Sequence, residues 1–280
     1  MPRILTESQV AAYRRDGFIS PVRVMSAEEA AEYRARFEAY EREHGGWYEL
    51  SKGQKIHLLQ TWAAELVMHP RILDAVEDTL GPDIMCWGSS LFVKEPGTES
   101  FVSWHQDSTY WGLSKPNVVT AWVALSPATE ESGCMKVVPG THMWEQIAHE
   151  DTLASENLLT RGQEIAVEVD EADAVSMPLQ PGEISIHHIR TVHASKPNRS
   201  NDRRIGYAIR YITPDVEQIN APDDSAVLCR GTDAYNNFIH EALPRADMDA
   251  AARAEHARIM KLRQGVLYKG VAGKPAHTRI

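Results

Sequence analysis

After Gly81 the chain breaks into short runs rich in β-branched and aromatic residues: IMCWGSSLFVKEPG, NVVTAWVALSP, CMKVVPGTH, EIAVEV, GEISIHH and RRIGYAIRYI. Glycine, proline, asparagine and serine punctuate them. Many short runs of this kind, separated by turn residues as far as about residue 213, predict a β-sandwich or a β-barrel.

The flanks have a different period. SAEEAAEYRARFEAYEREHGG places Ser26 and Glu29 at capping-box spacing and closes at Gly45-Gly46. HPRILDAVEDTLGP has Pro70 in its first turn and Gly81 past its end, with Ile72, Leu73, Val76 and Leu80 on one face. Helical character returns in DMDAAARAEHARIMKLRQG, residues 247–265. No repeat or low-complexity linker interrupts the 280 residues. The expected organisation is one domain over 1–280: a helical part to about residue 80, a β-core over about 81–213, and a loop and helix over 214–280.

Composition narrows the function. A hydrophobic content of 43% supports a packed core. A net charge of −10 with no basic run argues against nucleic acid and anionic membranes as partners, since both need clustered Lys and Arg. The three cysteines, Cys86, Cys134 and Cys229, are far apart and form no C-x-x-C. That disfavours a disulfide framework and a structural zinc site. The N-terminal residues lack the apolar stretch of a signal peptide, and no apolar run reaches about 18 residues. The expectation is a cytoplasmic protein acting on a small molecule. Nothing in the sequence reports its oligomeric state.

The chemistry centres on SWHQDSTYW, residues 103–111. On a strand, residues i and i+2 share a face, so His105 and Asp107 are expected to project together. An imidazole and a carboxylate make two-thirds of the facial triad that binds Fe(II) and leaves positions open. A third ligand is expected from GEISIHHIRTVHASKPNRSNDRRIGYAIRYI, which offers His187, His188 and His193. If KPNRSND is a hairpin turn, His193 falls opposite Arg204, with Ser195 on the same face. Gly206 and Ala208 continue that face and leave room for a ligand, while Arg203 points the other way, to solvent. A guanidinium beside a metal suits a dicarboxylate co-substrate that chelates at one end and is forked by arginine at the other.

These residues resemble the phytanoyl-CoA dioxygenase family of Fe(II)- and 2-oxoglutarate-dependent oxygenases. LFVKEPG, WHQD, TAWVALSPATEESGCMKVVPGTH and VHASKPNRSNDRR carry the resemblance, over roughly residues 81–212. It implies a mainly β fold with flanking helices, a double-stranded β-helix (jelly-roll, cupin-like barrel) with iron in its mouth. It implies His105, Asp107 and His193 as iron ligands, and Arg204 and Ser195 on the far carboxylate of 2-oxoglutarate. Trp122 and Thr120 would line the co-substrate pocket, and Lys94 and Lys55 match it loosely. The implied cofactors are Fe(II), 2-oxoglutarate and O₂, with succinate and CO₂ released. Carrier-dependent halogenases of the wider group replace the aspartate with Ala or Gly. Asp107 therefore points to a hydroxylase or related oxidase rather than a halogenase.

Other readings stand beside this one. The same ligands could serve a hydrolase or isomerase on zinc or manganese, or a non-enzymatic jelly-roll that binds a ligand. One of His187 and His188 shares a face with His193 and reads as a packed or supporting histidine. His142 reads as a partner for turn backbone groups. Trp62, Trp87, Tyr110 and Trp111 are either core or a substrate cage, which would suit a cationic group. Gln60 and its neighbours in HGGWYELSKGQKIHLLQTW are expected to shape the substrate pocket, for a compact polar or partly aromatic substrate.

Overall fold

The structure, a computed structural model, describes residues 1–47, 54–152, 156–159, 163–220 and 223–267. The chain opens with α1 (Glu7–Asp16), β1 (Phe18–Arg23), α2 (Ala27–His44), α3 (Thr61–Val67) and α4 (Pro70–Leu80). There follow β2 (Ile84–Lys94), β3 (Val102–His105), β4 (Val118–Ala124), β5 (Met135–Val137), β6 (His149–Asp151) and β7 (Gln163–Ile165). Next come β8 (Val175–Met177), β9 (Glu183–His188), β10 (His193–Ser195), β11 (Arg204–Ile212), β12 (Ser225–Arg230), β13 (Ile239–His240) and α5 (Ala250–Leu267).

The helices begin and end where their capping chemistry directs. Ser26 caps α2 by accepting from Glu29 N, and Gly45 ends it in the left-handed region. The full reciprocal capping box lies one helix earlier, between Thr6 and Gln9 of α1. α4 runs from Pro70 to Leu80, with Gly81 past its end as the sequence predicts.

A seven-stranded sheet has the order β1-β9-β4-β11-β2-β12-β13, and a four-stranded sheet has the order β3-β10-β5-β8. From β2 to β5, and again from β8 to β11, successive strands alternate between the two sheets. β1 and β12 come from segments expected to be helical or looped, and they widen the large sheet. EIAVEV forms only the short β7.

The two faces of β11 divide the molecule. Ile205, Tyr207, Ile209 and Tyr211 point into the core that Phe37, Trp62, Ile72 and Val76 of α2–α4 also fill. Tyr211 donates its hydroxyl to Val67 O at 2.9 Å. Arg204, Ala208 and Arg210 point to the other side, into a cavity between the sheets. This is the period-two alternation of a sheet covered on both faces.

Two expectations about local geometry fail here. KPNRSND is not a hairpin. β10 pairs with β3 and β5 in the small sheet, so His193 lies opposite His105 and Val137. β11 pairs with β2 and β4 in the large sheet, so Arg204 lies opposite Lys94. The buried Asn198 side chain explains why the stretch looks like a turn. It donates to Lys94 O and Asp202 O and accepts from Ser200, holding a crossover with turn chemistry. Second, β3 ends at His105 and Asp107 opens a 3₁₀ turn, pinned by Asp107 N donating to Ile189 O at 3.0 Å. The two side chains converge through that turn rather than through strand alternation.

Candidate active site

His105, Asp107 and His193 each present one donor atom, and these atoms all lie within 4.8 Å of one another. His105 Nε2 sits 3.4 Å from Asp107 Oδ1, and the His105 and His193 rings are 4.0 Å apart. Each ring is fixed from behind. His105 Nδ1 is 2.9 Å from Ser103 O, and His193 Nδ1 is 2.9 Å from Thr191 O. A carbonyl at Nδ1 selects the tautomer that leaves Nε2 free as a ligand atom.

The large sheet supports the carboxylate. Thr120 Oγ1 donates to Asp107 Oδ2 at 3.1 Å, and His187 Nε2 lies 3.6 Å from the same oxygen. Burial alone would raise the Asp107 carboxyl, but His105 and His187 against its two oxygens hold it well below the usual range. Burial, with His105 and His187 alongside, pushes His193 well down. The cluster thus presents a carboxylate and a neutral imidazole, the protonation states that metal binding requires.

Arg204 is 2% exposed, yet among the described residues its one hydrogen bond is Nη1 to Gly133 O at 2.8 Å. Its Nε is buried with no partner. Burial pushes the guanidinium down to about 10. Trp122 lies 5.2 Å from it, ring centroid to Cζ. Gly206 makes room for that ring, since a Cβ there would come 1.8 Å from Trp122 Cζ2. Gly133 is needed for the close passage of the crossover: its φ is +72°, and a Cβ would meet Lys196 O at 2.1 Å. Beside Arg204, Lys94 Nζ donates to Ser195 Oγ at 2.7 Å and to Lys196 O. Burial, with Arg204 nearby, pushes this amine down to about 5.

His105, Asp107, Thr120, Trp122, His187, His193, Ser195, Arg204, Ala208 and Arg210 all line the one cavity. The assumed register was wrong, but His193 and Arg204 still meet there, from opposite sheets.

Several expected site residues lie elsewhere. Lys55 pairs with Glu241 and donates to Ser225 O at 2.8 Å, fully buried and outside the cavity lining. Trp62 is fully buried in the helix-side core against Phe37 and Tyr207. Gln60 is buried just before α3 and lines none of the cavities described. The side chain of Tyr110 lies outside the described residues. Arg203 is not free in solvent; it is half-buried and clamps Glu41 and Glu95. His142 serves α1 rather than its own turn, through Arg14 O, and packs over Gly17. His188 faces away from the cavity; burial and His142 push it down to about 4.

Trp87 and Trp111 do line a second cavity, but not as a cage open to a cation. Arg263 lies 4.2 Å from the Trp87 ring and Arg210 lies 5.5 Å from Trp111. Sequence reasoning missed both arginines. Arg210 shares the period-two row of Arg204 and could have been found by extending that row. Arg263 comes from α5, and no local signal brings it to the site.

Fold and cavity together define a protein whose seven- and four-stranded sheets enclose a cluster that can hold one metal ion, near a buried guanidinium with no ion-pair partner among the described residues. The chain belongs to the phytanoyl-CoA dioxygenase (PhyH) family, whose profile matches residues 13–206. The cofactors of this oxygenase family are Fe(II), 2-oxoglutarate and O₂. The chain is 36% identical to the non-heme monooxygenase ThoJ, solved in its apo form, with a TM-score of 0.84 over 93% of this chain and 98% of that one. It is 26% identical to CytC3, solved with Fe(II) and alpha-ketoglutarate, with a TM-score of 0.64 over 89% and 97% of the two chains. A curated relative, the probable alpha-ketoglutarate-dependent hypophosphite dioxygenase of Stutzerimonas stutzeri, is 29% identical over 57% of each chain. The chain spans about half the length of the curated relatives it matches. Among the described residues, no helix is long and apolar enough to cross a membrane.

Proposed function

We propose that this protein is a single-domain, non-haem Fe(II)- and 2-oxoglutarate-dependent dioxygenase that hydroxylates an unactivated C–H bond of a small molecule, releasing succinate and CO₂. The alternation of strands between the two sheets supports a jelly-roll core. His105, Asp107 and His193 are the iron ligands of this reading. Arg204 takes the far carboxylate of 2-oxoglutarate, with Ser195 and Lys94 at its side and Trp122 against its face. The observation that carries the reading is the pairing within one cavity of a three-ligand cluster and a buried guanidinium without an acid. A hydrolytic metal site has no need of that guanidinium, whereas a chelating dicarboxylate would neutralise it.

When bound, iron and co-substrate supply the oxidising power for C–H cleavage, and the protein supplies orientation and a shielded space. The carbonyls of Ser103 and Thr191 fix the two imidazoles. Thr120 holds Asp107 with one oxygen toward His105. Trp122 and Ala208 shape the wall between the metal cluster and Arg204. Asp107 fills a ligand position that a halide would need, which favours hydroxylation over halogen transfer.

The test is an anaerobic titration with Fe(II) and 2-oxoglutarate, watched for the weak visible charge-transfer band. The expected result is a band that requires both components, is lost in His193→Ala and is weakened in Arg204→Ala. Bound iron without a band overturns the reading.

A further inference from the structure

Gln54, Trp87, Phe92, Trp111, Leu158, Arg210 and Arg263 belong to a second cavity that reaches Asp107. It shares Phe92, Asp107 and Arg210 with the metal-side cavity, so the two adjoin at these side chains. Two guanidiniums enter it from different elements, Arg210 from β11 and Arg263 from α5. They are linked through two indoles: Arg210 against Trp111, the Trp111 and Trp87 rings 5.1 Å apart, and Arg263 against Trp87.

Neither guanidinium has a carboxylate partner among the described residues. Arg210 Nη1 donates to Ser90 Oγ at 2.6 Å, and its Nε is buried without any partner. Arg263, 9% exposed, donates to Trp87 O at 3.3 Å. Both acceptors are neutral. Gly88 lets Arg263 in, since a Cβ there would sit 3.2 Å from its Nη1. Among the described residues the one carboxylate of the lining is Asp107; its charge acts on Arg210, but its oxygens are engaged by Thr120 and the histidines. Elsewhere the chain pairs its half-buried arginines with acids, as Arg34 with Asp202 and Arg203 with Glu41. Two largely buried guanidiniums with no ion-pair partner among the described residues are costly in one cavity unless an anion completes them.

We infer that this second cavity is the substrate subsite, and that it selects substrates carrying a carboxylate or similar oxyanion on an apolar or aromatic body. The anionic group lies between Arg210 and Arg263, and the body lies along Trp87, Trp111, Phe92 and Leu158. Its reacting carbon is thereby directed towards the metal cluster at Asp107. This rests on the oxygenase reading above and adds the charge of the substrate to it.

Calorimetric titration of the anaerobic Fe(II)- and 2-oxoglutarate-loaded protein separates the two. The probes are 3-phenylpropanoate and its uncharged amide. The expected result is binding of the acid at least about tenfold tighter than the amide. Arg263→Gln removes that preference, and Arg263→Lys, which keeps charge without the fork, restores part of it. The charge-transfer band and its 2-oxoglutarate midpoint stay in place in Arg263→Gln. Equal binding of acid and amide, or no binding of either, overturns the inference while an intact band leaves the oxygenase reading standing. A weakened 2-oxoglutarate midpoint in Arg263→Gln also overturns it, by assigning that cation to the co-substrate. Absence of the band in the wild-type protein instead defeats the underlying reading.

Discussion

Thr120 Oγ1 donates to Asp107 Oδ2, joining a strand of the large sheet to the turn that follows β3 of the small one. The bond decides where the carboxylate points. Thr120→Val keeps the shape and removes the donor. The expected outcome is a loss of iron affinity of roughly tenfold to a hundredfold, as for other partners that orient metal ligands. Fe(II) titration of the folded variant checks this, with little change expected in its thermal midpoint.

In the proposed reading Arg204 meets a carboxylate with two parallel N–H donors. Arg204→Lys keeps the charge but loses the fork. The 2-oxoglutarate midpoint is expected to weaken by about tenfold or more, with iron affinity unchanged. Equal affinity in the lysine variant would show that charge alone is sufficient.

Gly206 admits the Trp122 indole, and a methyl group cannot share that space. Gly206→Ala is expected to cost about 1–3 kcal/mol of stability and to displace the ring from Arg204. Thermal melts and 2-oxoglutarate titration should move together. Trp122→Leu in the Gly206→Ala background should recover stability without recovering affinity.

Glu241 predicts an acid limb of the stability curve. Burial alone would raise its carboxyl, but Lys55 and His57 bring it down to about 2, against an ordinary value of 4.5. A depressed carboxyl stabilises the fold fully above pH 4.5, and that contribution is lost as pH falls towards 2. Glu241→Gln should flatten this limb in urea melts taken across that range. At neutral pH it should cost about 3–5 kcal/mol, because Lys55 is left buried without its partner. Lys55→Met combined with Glu241→Leu should cost less than either change alone.

The β-core, the capped helices and the clustering of His105 with Asp107 were legible because each rests on local chemistry: period-two runs, Ser26 and Gly81 at helix ends, a histidine and a carboxylate two residues apart. The family resemblance rested on ordered motifs and pointed correctly to the family. What local chemistry cannot express is which strands pair. KPNRSND has the composition of a hairpin turn, yet Asn198 uses it to carry the chain between sheets. His193 and Arg204 were placed in one site through a pairing that does not exist. Lys55, Trp62 and Gln60 were misplaced for a related reason. A lysine buried against Glu241 and an indole buried against Tyr207 are settled by segments far away in sequence. Arg263 had no local signal at all, since only the docking of α5 brings it to Trp87.

The crossover at Asn198 has a mechanical consequence. His105 and His193 ride on the small sheet and Arg204 rides on the large one, so the gap between them is set by how far apart the sheets stand. A molecule that grips both ends is a strut across that gap, and its length is a gauge against which the sheets are held. Dicarboxylates one methylene shorter or longer than the fitting one would have to draw the sheets together or force them apart.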